Sequence, residues 1–249
     1  MNELKLLKGD PIEVIEGLNV YPLILSDIVE LGEDIYNSLI SSIMMNNSIL
    51  SKIENNTIPK NEIDKMYKLN ELEFITCISI YYPYIFQSFM SALRLFLRSN
   101  IEIIENVGLI ILNDNGSFLL DNDLFIKIKE IIAKQNFIKY KEETSYKPAN
   151  SKAKALLEKM NKIKENIKNQ NKEEGLSLRT VISIVSNYSN DINIKSVWDL
   201  TVLQLYESYI RILIWDDYHN QYMLLPHMDE NSKREVSNKH WAKDINKIN

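Results

Sequence analysis

Hydrophobic residues along this chain recur mostly at helical spacing, with two short stretches that alternate instead. Ile28, Leu31, Ile35, Leu39 and Met44 predict a helix from about Ser26 to about Met45. Its early turns carry Asp27, Glu30, Glu33 and Asp34, placed where the helix dipole favours carboxylates. The first 24 residues read as extended. Ile12 and Val14, then Leu18 and Val20, flank Glu16-Gly17 as the turn of a hairpin, and Pro22 closes the segment. Asn46-Asn47 and Asn55-Asn56 form a polar break, followed by a short helix near Glu62 to Lys68 and a long apolar one at roughly Leu72 to Leu97. Phe74 to Leu93 holds no charged residue, and about 20 such residues can span a bilayer. Thr76, Ser79, Gln87, Ser88 and Ser91 are spread through it, so it reads as a core helix kinked at Pro83, with Arg94 and Arg98 emerging from the buried face.

A second alternating stretch follows. Val107 to Leu112 and Ser117 to Leu120 flank Asn113-Asp114-Asn115-Gly116, where Asn-Gly supplies the positive φ of a tight turn. As a calcium loop this run fails, because Gly116 in sixth place puts Ile111 first and Asn122 twelfth, so both key carboxylates are missing. Asp121 then caps a helix running to about Gln135. Thr144-Ser145-Tyr146-Lys147-Pro148 reads as a linker. Beyond it Ala153, Leu156, Met160, Ile163 and Ile167 alternate spacings of three and four, a short heptad stripe that must dock on its own domain or on a partner. Leu178 to Tyr188 is apolar enough for a buried helix, and Ser196 to Asp199 and Thr201 to Gln204 carry capping-box signatures. From Thr201, the residues Val202, Leu205, Tyr206, Tyr209, Leu213 and Ile214 trace one face of a long helix to about Met223, ahead of Pro226. The expected fold is mainly α, with small β-hairpins near the N-terminus and mid-chain. Its expected regions are 1–138, a Lys-rich linker and short helix at 139–175, and a helical module at 176–249.

Composition narrows the function classes. There are 29 Lys plus Arg against 34 Asp plus Glu, a formal charge of -5, which gives no global attraction to nucleic acid or to an anionic membrane. The charge is unevenly spread: Ile126 to Glu174 holds 13 Lys and no Arg against seven Glu, a local +6. Lysines without arginine make a poor nucleic-acid site, since arginine provides the bidentate contacts to phosphate and guanine. The segment reads as a solvated face. Cys77 is the single cysteine, which rules out an internal disulfide and a thiolate metal cage and fits a reducing cytoplasm. Met1 to Lys8 is too short and too charged for a secretory leader.

Candidate chemistry is thin. Asp216 and His219 share a helix face at i, i+3, but two ligands close no metal coordination shell. Cys77 lies in an apolar run with no basic neighbour to activate it. Neither a nucleophile elbow nor a phosphate-binding glycine loop is present. No catalytic residue, cofactor or metal is therefore expected. Aromatic residues gather instead in the last quarter, and Trp198, Tyr206, Tyr209, Trp215 and Trp241 are the candidate partner-binding anchors. Each also admits a core role, most readily Trp198 and Tyr206.

Two stretches add a resemblance. Val20-Tyr21-Pro22-Leu23, Asp27 to Glu33 and Tyr36-Asn37 resemble the opening of tail proteins from phages of Gram-positive bacteria. Val197 to Tyr206, continued by Tyr209-Ile210-Arg211 and by His240-Trp241-Ala242-Lys243-Asp244-Ile245, is similar to the C-terminal module of phage tail assembly chaperones. The resemblance implies a non-enzymatic helical protein of the infected host's cytoplasm that binds the tape measure protein and tail-tube subunits. Two alternatives stay open: a structural tail or baseplate component retained in the virion, and a nucleic-acid binder using the Lys-rich segment.

Overall fold

The structure, a computed structural model, describes residues 3–51, 58–138 and 177–227. Helices take up 63% of it, and the strands form two antiparallel sheets of two and three strands. The fold is mainly α with small β-hairpins. Among the described residues, no helix is long and apolar enough to cross a membrane.

The chain opens with α1 (Glu3–Lys8), where an extended segment was expected. Leu6 is buried, and Gly9 ends the helix at φ +81. The first hairpin, β1 (Ile12–Ile15) and β2 (Leu18–Val20), turns at Glu16-Gly17 as its alternation predicts, with Leu18 and Val20 fully buried. The expected single helix over 26–45 is instead two, α2 (Leu25–Leu31) and α3 (Glu33–Met44). Gly32 separates them at φ +89, a backbone region costly for side-chain-bearing residues. Tyr36, Leu39 and Ile43 turn one face of α3 into the core.

After α4 (Lys60–Met66), the long apolar run also divides, into α5 (Glu71–Ile78) and α6 (Pro83–Leu97). A kink at Pro83 was expected. Proline instead takes the first position of a new helix, where its missing N–H leaves no bond unmade. Arg98 ends α6 in the left-handed region at φ 47, its guanidinium 4.5 Å from the Tyr21 ring centroid. Arg94 Nη2 donates to the Ile101 carbonyl at 3.1 Å.

The second sheet has one strand more than the sequence pattern showed. β3 (Asn100–Ile104) precedes β4 (Gly108–Asn113) and β5 (Gly116–Leu119), in the order β3-β4-β5. Ile101 and Ile111 pair on its buried face. The two hairpins are tied at their turns, because Asn113 Nδ2 and Asn115 Nδ2 both donate to the Gly17 carbonyl at 3.0 Å.

Asp121 caps α7 (Asn122–Gln135) through its Oδ1, which accepts the Leu124 N–H at 2.8 Å. That register places Lys129 on the buried face between Phe125 and Ile132. The solvated-face reading of the Lys-rich stretch therefore fails at Lys129, whose side chain is fully buried. Its ammonium meets Glu71 Oε2 at 2.6 Å and the Met45 carbonyl at 3.0 Å, joining α7, α5 and the end of α3. Burial drives this amine's pKa down, against the opposing pull of Glu71. The heptad stripe at 153–167 lies outside the described residues.

Candidate protein-binding surface

The C-terminal elements begin with α8 (Leu178–Tyr188), capped by Ser177, and a single 3₁₀ turn at Val197–Asp199. Of the two capping-box signatures, the second forms a true box. Thr201 Oγ1 accepts the Gln204 N–H while Gln204 Oε1 accepts the Thr201 N–H, and α9 (Val202–Leu224) starts there. Ser196 provides no such side-chain cap.

A short backbone seam roots α9 in the rest of the protein. Leu25 N–H donates to the Leu200 carbonyl at 2.9 Å, Ile24 and Thr201 form an antiparallel bridge, and Gln204 Nε2 donates to the Leu7 carbonyl at 2.8 Å. Val197, Val202 and Leu205 are buried beside this seam. Much of the stretch that carries the resemblance, Val197 to Tyr206, thus serves to fasten the helix.

The candidate anchors divide along this geometry. Trp198, Tyr206 and Tyr209 are half-buried and pack against the core. Tyr206 stacks on Phe137, with ring centroids 5.6 Å apart and planes 5° from parallel. Trp215 lies further along, 44% exposed, its ring edge-on to His219 at 4.3 Å. Trp241 lies outside the described residues. The face expected to run from Val202 to Ile214 keeps contact with the core only as far as Ile212, because Leu213 is 46% exposed. Beyond it Tyr222, Met223 and Leu224 are exposed as well. No described residue of α9 after Leu205 is buried. Asp216 accepts from Asn220 Nδ2 at 3.2 Å, and among the described residues no three His, Cys, Asp or Glu side chains gather to hold a metal.

At the root of α9 the structure forms a cleft of about 490 Å³ that no sequence pattern indicated. Glu33, Tyr36 and Asn37 of α3 face Asn136 and Phe137 at the end of α7, and Tyr206 of α9. Tyr36 donates its hydroxyl to Asn136 Oδ1 at 2.7 Å, within a buried pair. Burial, then the neighbouring Tyr206, holds the Tyr36 phenol far above its ordinary pKa. Tyr206 is raised too, by burial first and then by the Glu33 carboxylate.

A family model described as the YomV second domain matches residues 168–246, about a third of the chain. This is a phage-type family, so the C-terminal part is similar to a phage-related domain. The matched stretch takes in α8, all of α9 and the C-terminal side of the seam, Leu200 to Gln204. No curated protein and no solved structure matches the chain.

Proposed function

We propose that this chain acts by binding other polypeptides during phage tail assembly, as a chaperone for a long helical client of tape-measure type and for tail-tube subunits. One observation carries the reading: a helix firmly rooted at its start exposes Leu213, Tyr222, Met223 and Leu224 along its second half. Exposed apolar side chains grouped on one element mark an interaction site, and an amphipathic client helix is the partner such a surface fits. Full burial of each such side chain contributes roughly 1.5–3 kcal/mol, enough in sum to hold a client without any chemistry. Similarity to a phage-type family over 168–246 supports the phage setting, and the likeness of Val197 to Tyr206 to tail assembly chaperones supports the tail. On this reading the protein works in the host cytoplasm, needs no cofactor or metal, and catalyses nothing.

Coexpression with the tape-measure and tail-tube polypeptides of the same phage provides the test. The intact chain is expected to retain a client as salt is raised, since apolar contacts release few counterions, whereas a nucleic-acid complex would fall away steeply. Mass spectrometry of purified particles is expected to find the chain absent. Failure to retain either polypeptide would overturn the proposal, and stoichiometric presence in particles would make the chain a structural component instead.

A further inference from the structure

The cleft at the root of α9 has unspent chemistry of its own. Its apolar walls include Ile40, Leu178 and Val202, and its volume falls within the range of roughly 300–1,000 Å³ typical of ligand sites. Its described polar groups include acceptors together with uncharged donors, the latter on Asn37, Ser177 and Tyr206. Asn136 commits one Nδ2 hydrogen to the Ile132 carbonyl at 2.7 Å, and its Oδ1 accepts from the Tyr36 hydroxyl. Tyr36 has thereby given up its one proton and keeps a lone pair. Glu33 adds a carboxylate at the rim, and no Lys, Arg or His is among the described residues that line the cleft.

Helix N-termini, which favour anions, also meet here, since α3, α8 and α9 all begin at its edge. Their pull is largely answered from within the chain. Ser177 Oγ accepts the Thr180 N–H, Thr201 Oγ1 accepts the Gln204 N–H, and α3 opens on Glu33 and Asp34. The negative end of α7 lies alongside, at Asn136 and Phe137. What the described lining of the cleft lacks is a donor with positive charge on an apolar stem.

We infer that the cleft seats an arginine side chain of the partner polypeptide, with its stem against Ile40, Leu178 and Val202 and its guanidinium between Glu33 and Tyr206. Guanidinium suits the place better than ammonium, because it forks onto a carboxylate and stacks on an aromatic face. The inference rests on the partner-binding reading above and names the chemistry the partner brings to the root of α9, apart from the exposed second half.

Titration of the full chain with N-acetyl-arginine amide, followed through the aromatic NMR signals, tests it. Saturable shifts are expected at Tyr36, Phe137 and Tyr206, with binding weakened about tenfold in Glu33→Gln, as loss of a charge-assisted contact implies. Asn37→Asp adds a second carboxylate one turn along α3 and is expected to tighten binding. N-acetyl-norleucine amide, which has an apolar stem and no charge, is expected to leave these signals in place. Absence of saturable shifts, equal binding of the norleucine probe, or undiminished binding by a folded Glu33→Gln chain would overturn the inference. Client retention through Leu213, Tyr222 and Met223 does not involve Glu33. Loss of the probe response with retention intact would thus sink the cleft and leave the proposed function standing.

Discussion

Two halves of one helix have opposite surroundings. From Val202 to Ile212, α9 lies against α1, α7 and α8, with Val202, Leu203 and Leu205 buried and Gln204 bonded to the Leu7 carbonyl. From Leu213 to Leu224 no described side chain is buried, although the stretch is no less aromatic or aliphatic. The 23-residue helix is about 35 Å long, so roughly half of it extends beyond the seam that fixes its start. The difference shows that apolar content alone does not decide what becomes core. The capping box and the bridge to Ile24 set where the helix begins and which way it points, and those choices fix how far the core can follow it.

Substitutions at matched positions can break this contrast. Leu205→Ala in the rooted half removes a fully buried side chain and is expected to destabilise the fold by about 3 kcal/mol in chemical denaturation. Gly17→Ala, at the turn gripped by Asn113 and Asn115, is expected to be the next most damaging, at about 2 kcal/mol. Its φ of +83 disfavours a side chain, and an added Cβ would sit 3.0 Å from the Asn115 Cβ. Thr201→Ala removes the cap at the seam and is expected to lose about 1 kcal/mol. Leu213→Ala in the exposed half is expected to change stability by no more than about 0.5 kcal/mol. A large loss there, or a negligible one at Leu205, would erase the distinction between the halves.

The root should also respond to alkali. The Tyr36 phenol is raised above its ordinary value of 10.0, by burial first, so the folded chain binds its proton more tightly than the unfolded chain does. The stability it contributes is fully present below that value and is lost as pH climbs above it. Tyrosinate absorbance is accordingly expected to show one phenol that ionises only as the fold opens. Complete tyrosine titration in a still-folded chain would contradict the buried pair with Asn136.

The sequence was readable where a local signal ends an element. The Glu16-Gly17 turn, the Asp121 cap, the span of α8 and the Thr201/Gln204 box all matched local rules. Interruptions within apolar runs were not readable, because periodicity continues across Gly32 and across the break before Pro83 even though the backbone does not. β3 carries no such signal, since Asn100 to Ile104 has no turn dipeptide of the Asn-Gly kind, and the six residues of α1 are too few to show a period. Lys129 looked solvated as one lysine among many; only the register imposed by Asp121 turns it inward. The cleft had no sequence signal, because Glu33, Asn136 and Tyr206 come together only through packing. The Trp215 region was legible as a cluster of aromatics beside charges, but not as the part of α9 that the core leaves behind.

The most direct measurement is the affinity of a purified tail polypeptide for the intact chain and for a Leu213→Ala/Tyr222→Ala/Met223→Ala variant, with denaturation curves recorded for both. Curves that nearly coincide are expected, with an affinity at least about tenfold weaker in the variant, as when exposed anchors of a binding surface are truncated. A folded variant that binds as tightly as the intact chain would contradict the binding role of the exposed half.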